Sequence, residues 1–295
     1  MDKRDFRVYN EQLVKRGECL LALDFVEGWN AELAVMNANK LGAPYLFPKT
    51  LIELQALWHA KQLDYRMIEG LTRELARIGR LPNYNNYSTV NRRVNKLAFT
   101  LSPPQGENLV VFSDGTGLQA VAGGEYLREK YGKKNRRWVQ IVILGDAKTH
   151  EPVSYEVRII QESEADSTIR QLSGLLEDGV SIAAAGGDGA MDAKQLYDFC
   201  DGKKIKTIIK PDENARTDTE SKLRNQVVKE RNHLGYKRWS KKNRYGHRWP
   251  ATEGVFSAMK RMFGEHLSST SEEGMLHEAA CKLWAYQRIK RIGEA

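Results

Sequence analysis

The stretch LVVFSDGTG, residues 109–117, decides the fold: a short apolar β-rich run that ends on Asp114, with glycines at 115 and 117 opening space beside the carboxylate. A second stretch, SIAAAGGDGAMD at 181–192, repeats the design with Asp188. Between and around them, residues 137–144 alternate on Val139, Ile141 and Ile143, and residues 153–160 alternate again after a turn at 145–151. These predict three antiparallel strands. A helix over 166–177, a strand over 180–185, a helix over 190–200, a strand over 205–209 and a helix over 252–263 follow.

Three adjacent strands followed by alternating helices and strands describe an α/β fold of the ribonuclease H-like plan, a mixed sheet with helices on both faces. Pro103, Pro104, Gln105 and Gly106 punctuate the chain ahead of it and mark a domain boundary. Upstream the sequence reads as all-α: helix formers dominate 9–41, and 50–63 places Leu51, Ile52, Leu54, Leu57 and Trp58 at helical spacing. Residues 64–78 form a further helix, and Ser88 is the expected N-cap of a short one, TVNRRVNKL. That order is helix-turn-helix-like. Its second helix would present Asn91, Arg92, Arg93, Asn95 and Lys96 to phosphates and base edges while Val90, Val94 and Leu97 pack inward; an ordinary helical bundle with a charged face reads the same way. The expected division is 1–105 helical and DNA-binding, 106–275 ribonuclease H-like with a basic insertion at 216–250, and 276–295 a C-terminal helix.

Charge narrows the partners. The 295 residues carry a net charge of +8, which favours an anionic partner. Residues 216–250 hold 11 Lys or Arg against 3 Asp or Glu, as much excess as the whole chain. Tyr236, Trp239, Tyr245 and Trp249 are interleaved with Lys241, Lys242 and Arg244, the pattern for stacking on bases beside a phosphate track; a solvated basic loop with core aromatics fits equally. No apolar run is long enough to cross a bilayer and the N-terminal stretch lacks an apolar signal core, so the expectation is a cytoplasmic protein with no membrane partner. Cys19, Cys200 and Cys281 are far apart and the six histidines form no HxxxH pair, which leaves carboxylates as the candidate metal ligands.

The third carboxylate is Glu253, at the start of a helix in RWPATEGVFSAMKRMFGE with Thr252 as expected N-cap. It shares a stripe with Ser257 and Lys260, flanked by Phe256, Met259 and Phe263 facing the core. A DG turn, or a helix-start Glu favoured by the macrodipole, accounts for any one of these acids alone. A dinucleotide loop fails on AAAGGDGAMD, because the third glycine of GxGxxG is Asp192 and Asp188 would face a pyrophosphate.

Together FSDGTG, GGEYLREKYGKKNRRW, GGDGAMD and RYGHRWPATEGVFSAMKRMFGE resemble the prokaryotic insertion-sequence transposases of the IS four and IS five groups, and YNEQLVKRGE, LDYRMIEGLTREL and YSTVNRRVNKL resemble their leading domain. The resemblance implies a DDE triad on Asp114, Asp188 and Glu253, and a Tyr, Arg, Glu, Lys series on Tyr245, Arg248, Glu253 and Lys260. The interval from Arg248 to Glu253 is one residue longer than the family pattern, and Met191 stands where an aromatic is expected. Also implied are two Mg²⁺ or Mn²⁺ ions on the triad, double-stranded DNA (terminal inverted repeats and target) as partner, and a homodimer when two ends are paired. Such ions activate the nucleophile, stabilise the leaving oxygen and neutralise phosphate charge. A hydrolysis-only nuclease of the same fold, or a regulator or decayed transposase that binds DNA without cutting it, would share most of these features.

Overall fold

The computed structural model describes residues 5–103, 108–120, 138–159, 162–212 and 214–294. The turn at 104–106, the 123–137 part of the quoted motifs and the expected strand ends at Arg137 and Ile160 lie outside them. The chain forms two compact units, Met1–Thr100 with Ala280–Ala295, and Leu101–Ala279.

The first unit is helical, with α1 (Phe6–Glu18), α2 (Trp29–Asn37), α3 (Lys49–Ala60), α4 (Tyr65–Arg77) and α5 (Tyr87–Val94). Its core is built on α3, whose Leu51, Ile52, Leu54, Leu57 and Trp58 are all buried, as their spacing predicts. The polar member of that face, Gln55, is satisfied by two hydrogen bonds exchanged with Asn85 (2.6 and 3.0 Å). Asp64 caps α4 by accepting from the backbone N–H groups of Arg66 and Met67. The cap of α5 is Asn86 instead of Ser88: Asn86 Oδ1 accepts from Thr89 N at 2.9 Å, and Ser88 lies inside the first turn donating to that same oxygen. An amide oxygen two residues upstream wins because it already sits on the extended residue that precedes the helix.

The second unit is a mixed α/β structure. Strands β1 (Leu109–Ala120), β2 (Trp138–Asp146), β3 (Pro152–Arg158), β4 (Ile182–Gly187), β5 (Lys206–Ile209) and β6 (His266–Leu267) form one six-stranded sheet in the order β3-β2-β1-β4-β5, with β6 beside β1. The β1–β2 and β2–β3 pairs are antiparallel, and β1–β4 and β4–β5 are parallel. Order and directions are consistent with the ribonuclease H-like plan. Its helices are α6 (Glu164–Glu177), α7 (Lys194–Gly202), α8 (Lys222–Lys242), α9 (Arg248–Ala251) and α10 (Glu253–Phe263); α11 (Glu272–Glu294) begins in this unit and from Ala280 on belongs to the first.

Two seatings fix the geometry of the site. On one face α6 docks through Thr168, whose hydroxyl is 2.6 Å from Ser113 Oγ, and Gln171, which donates to Val142 O at 3.2 Å. On the strand next to Phe112, Gly145 meets the end of α9: a Cβ there would overlap the carbonyl of Ala251, so only glycine lets α9, two residues ahead of Glu253, press onto the sheet.

The strand that carries Asp114 corrects one expectation. Asp114 and its glycines do not close β1, which runs on to Ala120 because β2 keeps pairing with it through Gln119. On the other side of β1, pairing with β4 stops at Phe112 and pairing with β6 begins at Gln119. Asp114 therefore sits at an edge opened by the end of the neighbouring strand. The basic 216–250 stretch is also more ordered than a loop, since most of it is α8, broken at Gly235.

Candidate active site

Asp114 and Asp188 are brought together by strand register. Val111 pairs with Ala185 and Phe112 with Gly186, so two residues further Asp114 and Asp188 stand side by side, the second just past the end of β4. Asp188 Oδ1 accepts from Ala190 N at 2.9 Å, which fixes the turn that presents it. Asp114 Oδ1 accepts from Gly115 N at 2.9 Å. Burial raises the proton affinity of Asp114 above that of an ordinary aspartate, and the charge of Asp188 adds to it, against the Gly115 N–H and the Arg248 guanidinium.

Glu253 opens α10, and Arg248 on α9 ties it to Asp114. Arg248 Nη2 donates to Glu253 Oε1 at 2.8 Å, while Nη1 lies 3.5 Å from Asp114 Oδ2. Thr252 precedes the helix as expected, but its side chain does not cap it; the hydroxyl donates back to Arg248 O at 3.1 Å, bracing the junction between α9 and α10. Phe256, Met259 and Phe263 are buried, so Glu253, Ser257 and Lys260 line an open cleft of about 440 Å³ with Asp114, Gly115 and Thr116.

A fourth acid, Glu164 at the start of α6, lies against Gly115. Burial first, then the charges of Asp114 and Asp188, raise its proton affinity. Glu164 lies ahead of the helix expected over 166–177 and drew no reading there; the usable signal was Gly115, whose missing Cβ makes room for the carboxylate. Asp192, also unassigned, is held by Arg224 through two hydrogen bonds of 2.8 and 2.7 Å.

The basic segment divides. Lys241, Lys242 and Arg244 are exposed, and so is Trp249 at 59%. Trp239 and Tyr245, expected to stack on bases, are instead 1% and 7% exposed and pack against each other with ring centroids 5.4 Å apart. Their rings are part of the core that holds α8 to the sheet, and burial pushes the Tyr245 hydroxyl up to about 12. Exposed Tyr236 and Trp249 are the rings a base could reach. In the helical unit Arg92 and Lys96 are exposed, whereas Arg93 lies over the Tyr45 ring at 4.4 Å with Nη2 near Phe47 O.

The donor set fits a hard divalent cation, being carboxylate oxygens without thiolate or imidazole. Among the described residues no three acidic, histidine or cysteine side chains stand together closely enough to hold one ion. What lies between Asp114 and Glu253 is the Arg248 guanidinium, a positive charge where the two carboxylates call for one. All three cysteines are buried and free, and among the described residues no helix is long and apolar enough to cross a membrane.

No curated protein matches the chain. A family model described as the transposase DDE domain matches residues 105–288, which takes in every described strand of the sheet, Asp114, Asp188 and the Arg248–Glu253 pair. A second model with the same description matches residues 14–123, reaching from the helical unit into β1. The first match spans more than half of the chain, which therefore belongs to the family of transposases that carry this DDE domain.

Proposed function

We propose that this chain is an insertion-sequence transposase of the IS four and IS five groups that cleaves DNA at transposon ends and joins the freed 3′-hydroxyl to target DNA, with Asp114, Asp188 and Glu253 as its acidic triad. The observation that supports this most strongly is the convergence at the open edge of β1, where register sets Asp188 beside Asp114 and Arg248 links Asp114 to Glu253. Asp114 and Asp188, with Glu253 across the cleft, would hold Mg²⁺ or Mn²⁺, two ions in the reading implied by the family. When bound, such ions supply Lewis-acid activation of the nucleophile and neutralise phosphate charge.

The chain's own residues do the rest. Lys260, on the same helix face as Glu253, offers its ammonium to a DNA phosphate in the cleft. Arg248 is positioned to exchange its carboxylate partners for phosphate oxygens, which its planar fork fits equally well. Lys241, Lys242 and Arg244 track the backbone beyond the cleft, with Trp249 available to stack. Arg92 on α5 and Lys96 in the turn just past its end bind the terminal repeats in the manner of a recognition helix, in a DNA-binding domain spanning 1–105, with the catalytic domain over 106–275. In strand transfer a new P–O bond to the 3′-oxygen forms as the bond to the leaving strand breaks, in line, without a covalent enzyme intermediate. Two copies of the chain pairing two ends in a prokaryotic cytoplasm complete the reading.

The test is an assay of cleavage and strand transfer on the terminal-repeat duplex with Mg²⁺ or Mn²⁺. Glu253→Gln keeps the size of the side chain but loses its charge, so both reactions should disappear while end binding persists. Near-normal strand transfer by the Gln variant would remove Glu253 from the triad.

A further inference from the structure

One buried hydroxyl touches the backbone carriers of both Asp114 and Asp188. Thr168, on the inner face of α6, is buried, and so is Ser113, the residue before Asp114. Their hydroxyl oxygens are 2.6 Å apart. Thr168 has a single proton to give, and the carbonyl of Glu164, one helical turn back and 2.8 Å away, accepts it. Ser113 therefore donates to Thr168. The same Thr168 oxygen lies 3.6 Å from Met191 Sδ, in the turn at 189–191 that follows Asp188. Gly187, just ahead of Asp188, closes the arrangement: a Cβ on it would run into Met191 Cγ and come within 3.3 Å of Ser113 O. The backbone that carries Asp188 is thus pressed against Ser113, and both are keyed to Thr168.

A threonine that bonds a carbonyl one turn back is common in helices and by itself needs no function. The partner from β1 is different. A dry junction between helix and sheet is held as well by alanine and valine, because a buried polar pair gains little over apolar side chains of the same shape. What the pair adds is direction: apolar packing permits small slides along the strand, whereas a short hydrogen bond between buried groups fixes one position. That position sets where Asp114 stands relative to Asp188. We propose that Thr168 is a positioning residue of the catalytic centre, whose hydroxyl holds Ser113 and the Met191 turn so that the carboxylates of Asp114 and Asp188 keep one separation. The proposal rests on the reading of these two acids as catalytic, to which it adds a residue buried out of reach of DNA.

A matched set of variants of the full chain separates positioning from folding. Thr168→Val removes the hydroxyl at nearly constant shape and deprives the buried Ser113 hydroxyl of its partner, so it should lower the melting temperature. Combining it with Ser113→Ala removes both partners, and the melting temperature should return close to that of the wild type. Single-turnover cleavage of the end duplex should nevertheless stay about 10- to 100-fold slow in the double variant, with end binding unchanged and Mn²⁺ affinity, read by calorimetry, weakened in the same direction. Thr168→Ser keeps the hydroxyl and should retain most of the rate. A double variant that recovers rate along with stability, or a Thr168→Ser protein as slow as Thr168→Val, would show the pair to be a structural contact only, and the proposal would fall alone. If Asp114→Asn cleaves like the wild type, the catalytic reading itself fails and takes the proposal with it.

Discussion

Arg248 donates to Glu253 across 2.8 Å, from a half-buried position where it also faces Asp114. One guanidinium thus does by charge what a metal ion would do by coordination, and it competes for the same oxygens. Arg248→Ala should therefore tighten Mn²⁺ binding, by about five-fold if the pair is worth roughly 1 kcal/mol, while weakening binding to end DNA. Titration calorimetry reads the first and a gel-shift series the second. Mn²⁺ affinity that falls or stays level would show that Arg248 supports the site instead of competing for it.

The raised proton affinity of Asp114 has a sign that can be checked. The folded state takes up a proton on Asp114 at higher pH than the unfolded chain does, so the penalty for ionising it is absent below the ordinary aspartate range, near 3.8. As pH rises through the higher folded value that penalty grows, and it is complete above it. In chelator, Asp114→Asn should gain stability relative to wild type between pH 4 and pH 7, with Glu164 adding to the trend in the same direction. Urea unfolding at several pH values measures it. A difference between the two proteins that does not change with pH would mean that Asp114 is solvated like a surface acid.

Asp192 follows Asp188 by four residues, yet it is already engaged. Its side chain is 5% exposed and gripped at both oxygens by Arg224 of α8, which ties the turn carrying Asp188 to that helix. Breaking a buried pair leaves an uncompensated charge, so Asp192→Asn should cost about 3–5 kcal/mol of stability. A denaturation midpoint within about 0.5 kcal/mol of wild type, the range of ordinary surface changes, would show the pair to be dispensable.

Much of this was legible in the sequence, for physical reasons that also explain the failures. Period-two alternation exposed β2 and β3, because Val139, Ile141 and Ile143 face a core that must be dry. The end of β1 was misjudged because Gly115 and Gly117 read as punctuation, when glycine in a strand can equally admit a close neighbour, here Glu164 and the Trp138 ring. Helix α8 was hidden since it buries only Val227, Val228 and Trp239 in 21 residues, too few to make a stripe. Trp239 and Tyr245 looked like stacking rings because composition reports charge near an aromatic, not which side of the helix the ring occupies. Asp188 and Glu164 could not be linked to Asp114 by spacing, as only strand register and a missing Cβ place them.

The exposed cations at the end of α8 make the last prediction. Lys241, Lys242 and Arg244 project from one turn, and each phosphate they neutralise should contribute about 0.9 to the slope of log K against log salt. Lys242 is partly committed to Glu230 at 2.6 Å, so it should release fewer counterions than the other two. Replacing all three by Ala should then flatten the slope by about two units and weaken end binding most at low salt. Replacing Lys242 alone should change it least. Trp239 stays buried throughout, so the melting temperature should hold and separate lost phosphate contact from lost fold. A triple variant with the wild-type slope would mean that the turn faces solvent in the complex, and that DNA leaves the cleft by a path that does not cross α8.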